Sequence, residues 1–69
     1  MDAEEFEREM HLWREAEDSA RRAEERLRQL GQVANDPRVA GLSREAAALR
    51  RKADEILAAL VRKAAPPAG

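Results

Sequence analysis

The sequence predicts an all-α fold. It is an antiparallel two-helix hairpin, with helices over about 2–34 and 43–65, completed to a four-helix bundle by dimerisation. Three observations carry that expectation. Small or apolar residues recur at alternating steps of three and four from Phe6 to Leu60. A single Pro- and Gly-bearing segment interrupts them. Ala, Glu, Lys, Leu and Arg supply 45 of the 69 residues, the composition of long helices and coiled coils.

The first helix opens at Asp2, a good N-cap, with Glu5 three residues on in capping-box spacing. Glu4 and Glu5 also favour the positive end of the helix dipole. A start this close to Met1 is read as a genuine chain beginning. With Phe6 at heptad position a, Trp13, Ala20, Leu27 and Ala34 repeat it. Glu9, Ala16, Ala23 and Leu30 then occupy d, and Met10 widens the stripe. Acid-before-base pairs at i,i+4 support the same helix: Glu4–Arg8, Glu17–Arg21, Asp18–Arg22 and Glu24–Arg28.

The break is expected at about 31–42. Gly31 caps the first helix, or the helix continues to Ala34 and stops at Asn35. Asp36-Pro37 reads as the cap and first position of a short turn ended by Gly41, and Ser43 as the N-cap of the second helix. That helix carries Leu42, Ala46, Leu49, Ala53, Ile56 and Leu60, widened by Leu57, Val61 and Ala64. Arg62 and Lys63 suit its C-terminal end, and Pro66-Pro67 forbids continuation. Residues 1–65 thus form one domain and 66–69 a disordered tail. So short a connection folds the helices back antiparallel. The eight acids and two bases of residues 2–18 then lie beside Arg62 and Lys63.

A lone hairpin looks thinly cored. Leu, Ile, Val and Phe total 12 residues, and the middle of the first stripe is Ala16, Ala20 and Ala23. A second hairpin burying the remaining stripe edges is the expected remedy, and a second copy its simplest source. The candidate interface and core residues are Phe6, Met10, Trp13, Ala16, Ala20, Ala23, Leu27 and Leu30. Their counterparts on the second helix are Leu49, Ala53, Ile56, Leu57 and Leu60. Trp13 and Phe6 are the expected hot spot if the bundle is intermolecular. Glu9, at a d position, is expected to reach solvent near the helix end.

Several function classes find no foothold. There is no cysteine, so no disulfide or thiolate metal site, and His11 falls outward between Glu7 and Glu15 with too few ligands for a metal. No Ser–His pairing or Gly-rich phosphate loop points to catalysis, a cofactor or a small-molecule substrate. No segment approaches the roughly 20 apolar residues of a membrane span. The acidic N-terminus is no secretory signal, and the expected location is cytoplasmic.

A basic concentration near the turn, Arg21, Arg22, Arg50, Arg51 and Lys52, is the candidate nucleic-acid contact. Acids interrupt it, no aromatic interleaves it, and the pI is about 5.8, all of which argue against such binding. In architecture the chain resembles the Rop-type RNA-binding hairpin dimers. It is also similar in size to the heterodimeric hairpin co-chaperones of type III secretion needle subunits. The WXG secretion hairpins fit less well, since no Trp-x-Gly stands in the turn. The expected function is therefore a non-enzymatic protein–protein interaction module. It would be an adaptor, regulator or chaperone-type subunit that pairs with itself or another helical protein.

Overall fold

The structure, a computed structural model, describes residues 2–31 and 36–64. Two helices account for nearly all of it: α1, Ala3–Gly31, and α2, Arg38–Ala64. They lie against each other as the all-α hairpin. The expected extension of α1 to Ala34 and the expected tail at 66–69 fall outside the described residues.

Asp2 caps α1 as its chemistry requires. Its Oδ1 accepts a hydrogen bond from the Glu5 amide at 2.7 Å, and its carbonyl accepts one from Phe6 at 3.0 Å. The second helix corrects the sequence expectation. It starts at Arg38, five residues before Ser43, which lies exposed inside it. Asp36 is the cap: its Oδ1 accepts from the Arg38 amide at 2.9 Å, while its carbonyl accepts from Val39 at 3.2 Å. Pro37 occupies the first position, where its missing N–H costs nothing. What reads as a separate short turn is thus the first turn of α2. Gly41 fails to end it, because an exposed glycine inside a helix costs only about 1 kcal/mol relative to alanine. The burial of Val39 and Leu42, both half-buried, favours the earlier start.

The Asp36 cap carries a pH signature. Two hydrogen bonds from the Arg38 side chain and one from its amide hold the Asp36 carboxyl down at about 2, against an ordinary 3.8. A depressed folded-state value contributes stability that is complete above the ordinary carboxylate range and is lost as pH falls through about 2. Helicity measured against pH should fall over that acid window. Asp36→Asn should remove part of the fall, and an unchanged acid limb would contradict the role given to this cap.

The Lys63 ammonium lies 3.3 Å from the Glu9 carboxylate and Arg50 reaches both Glu17 and Glu24, contacts that only antiparallel helices allow. Ala23 and Leu49 line one shallow groove between the helices. The seam is tightest at Ala20 and Ala53. Both of these residues are fully shielded from water, and Ala23, Ala46 and Leu60 nearly so. The Glu9 side chain is one quarter exposed and pairs across the seam.

The hairpin is a single layer. Its shortest dimension is 14 Å, barely more than one helix diameter of about 10–12 Å. Among the described residues every large apolar side chain except Leu60 therefore keeps a solvent-facing side, and no polar residue is buried.

Candidate interaction surface

Two kinds of surface result from this geometry, an ionic clasp and an uncovered apolar face. Arg50 makes the clasp. Its position one residue past Leu49 puts the guanidinium at the flank of the seam, where Glu17 and Glu24 stand one heptad apart on α1. It donates to both Glu24 oxygens, at 3.1 and 2.8 Å, and to Glu17 Oε2 at 2.6 Å. The side chains of Arg50 and Glu17 are 31% and 18% exposed, so water screens this pair less than the other ion pairs. The hydrogen bond from Arg50 is the largest cause holding Glu24 below its ordinary carboxylate range. The bonds it donates to Glu24, then to Glu17, hold the guanidinium firmly protonated.

The clasp changes the pairing read from the sequence. Glu17–Arg21 and Asp18–Arg22 form as spaced, at 3.1 and 3.0 Å. Glu24 turns from Arg28 to Arg50, and Arg28 takes Glu25 instead. The flanking position of Glu17, Glu24 and Arg50 beside an antiparallel seam was the signal that could have found this, since equivalent flanks meet there. Replacing Arg50 with Met should lower the thermal midpoint more than the same change at exposed Arg51, because it removes the ion pairs that join α2 to Glu17 and Glu24 of α1. Equal midpoints by circular dichroism would contradict the clasp.

The five basic residues expected near the turn stand nearer the middle of their helices: Arg50 is engaged between the helices, and Arg21 and Arg22 each meet an acid on α1. Arg51 and Lys52 are exposed, but Lys52 lies on the flank opposite Arg50. The five do not share one face. His11 is exposed and sits 3.1 Å from Glu15, and among the described residues no cluster could hold a metal ion. No described helix is long and apolar enough to cross a membrane.

The apolar face is the second surface. Phe6 is 40% exposed, Leu57 37% and Val61 58%, all toward the open end of the hairpin. Half-buried Met10 joins them. Met10 and Leu57 stand in the same relation as Glu17 and Arg50, one heptad nearer that end. Trp13, Ala16, Leu27, Leu30, Leu49 and Ile56 are likewise only half-buried. Leu12, absent from the expected core, is 51% exposed on the other flank. Its position just before Trp13 reads as seam-adjacent only once the register is known.

Comparison with known proteins finds no matching family model, no similar curated protein and no similar solved structure.

Proposed function

We propose that this chain is a non-enzymatic protein–protein interaction module that works as a homodimeric helical bundle. Its place would be that of a small adaptor, regulator or chaperone-type subunit in the cytoplasm. One observation carries the reading: the apolar stripes are wider than the hairpin covers. Four large apolar side chains are more than a third exposed, while the shielded core is four alanines and one leucine. Association is the ordinary means of covering such surface.

Two further features support it. The first is the ordered, self-capped pair of helices, which presents that surface on a rigid frame. The second is the clasp, which commits Arg50 to the hairpin and leaves fewer cations for a phosphate backbone. The test is sedimentation equilibrium of the chain and of a double variant, Arg51→Glu with Lys52→Glu. Both should form a dimer in the micromolar range. Monomers at every concentration would overturn the proposal. Retained dimerisation with a salt-sensitive RNA affinity that the double variant loses would favour the nucleic-acid reading instead.

A further inference from the structure

We propose that a second copy docks through the outer ridge of α2, antiparallel, with α2 lying on α2 about a two-fold axis at position 52; the proposal rests on the homodimer reading above. Beyond its seam with α1, α2 carries a second stripe at alternating steps of three and four. Ala40, Ser43 and Ala47 form its first half, and Leu57, Val61 and Ala64 its second. All six are exposed. Arg50 and Asp54 occupy the centre.

The stripe is self-complementary in one orientation. Reversed on itself about residue 52, it sets Leu57 over Ala47, Val61 over Ser43 and Ala64 over Ala40. Each large residue meets a small one. In an isologous contact every such pair occurs twice. A parallel arrangement would instead stack Val61 on Val61 and Asp54 on Asp54, leaving the small residues facing a gap.

No other ridge offers this. The corresponding flank of α1 has Met10 as its one large apolar residue, among Glu7, Arg14, Glu17, Arg21, Glu24 and Arg28. The opposite flank of α2 holds Arg38, Glu45, Lys52, Glu55 and Arg62, with only Gly41, Ala48 and Ala59 between them. Leu12 stands alone among Glu5, Arg8, Glu15 and Ser19 on its flank.

The charge of the whole hairpin selects the same orientation. The half nearest the turn, residues 19–31 and 36–53, holds nine bases and four acids. The open half, residues 2–18 and 54–64, holds ten acids and four bases. Head-to-tail docking brings the positive half of each copy beside the negative half of the other, whereas parallel docking opposes like charges.

Single-cysteine variants test this, because the natural chain has no cysteine. In the proposed dimer, residues 43 and 61 of opposite copies are adjacent, while residue 61 lies about 27 Å from its own counterpart at 1.5 Å per residue. A disulfide needs Cα atoms within about 7 Å. An equimolar mixture of Ser43→Cys and Val61→Cys, each checked for unchanged helicity, should form the mixed disulfide in a glutathione buffer. Neither variant should cross-link to itself. Self-linked Val61→Cys would show a parallel dimer and overturn the inference. A dimer by sedimentation that yields no mixed disulfide would place the interface elsewhere, overturning the inference while leaving the homodimer standing. Absence of any dimer would remove both.

Discussion

Replacing Ala53 with leucine is expected to cost about 3 kcal/mol, the upper part of the range for overpacking a tight site. Ala53 is fully shielded, as is Ala20 on the other helix. A methyl so completely covered leaves no room for three added carbons, so leucine must push the backbones apart. Separation would also pull Arg50, three residues earlier, away from Glu17 and Glu24. For a chain of this length the loss corresponds to a fall of roughly 12–24 °C in the thermal midpoint. The same substitution at Ala48, which is exposed, should change stability by about 0.5 kcal/mol or less. Equal midpoints for the two variants would contradict the close crossing.

Leu60→Ala is expected to have the second large effect, about 2–3 kcal/mol, within the range for removing a buried leucine. At 3% exposed, Leu60 is the only large side chain among the described residues that the hairpin buries. The open end is able to relax, which keeps the cost at the lower part of the range. Leu57→Ala offers the contrast, because Leu57 is 37% exposed and belongs to the outer ridge. It should leave the dilute hairpin nearly as stable while weakening association. Chemical denaturation at two protein concentrations separates these outcomes, since only an effect on association depends on concentration.

Much of the fold was legible because it repeats. The steps of three and four from Phe6 to Leu60 fix two amphipathic helices, and Asp2 announces the first. The entry to α2 was harder. Ser43 and Asp36 are both acceptable caps, and choosing between them required weighing Gly41 as a break against the packing of Val39 and Leu42. Glycine's modest cost in a helix decides for the earlier start. The candidate surface was legible only in outline. Trp13, Leu27 and Ile56 lie on the stripes as spaced, yet their half-burial follows from the single-layer geometry. Ion pairing was least legible. Glu24 reaches either Arg28 along its own helix or Arg50 across the seam, and only the register brings the second within hydrogen-bond distance.

The central claim is that the hairpin is half of an assembly, and helicity followed by circular dichroism through sedimentation-equilibrium samples, diluted across the micromolar range, tests it most directly. A dimer is expected at high concentration, its helicity declining as dilution separates the copies, because a core of four alanines and one leucine leaves the single layer marginal. A monomer that stays fully helical at every concentration would contradict it.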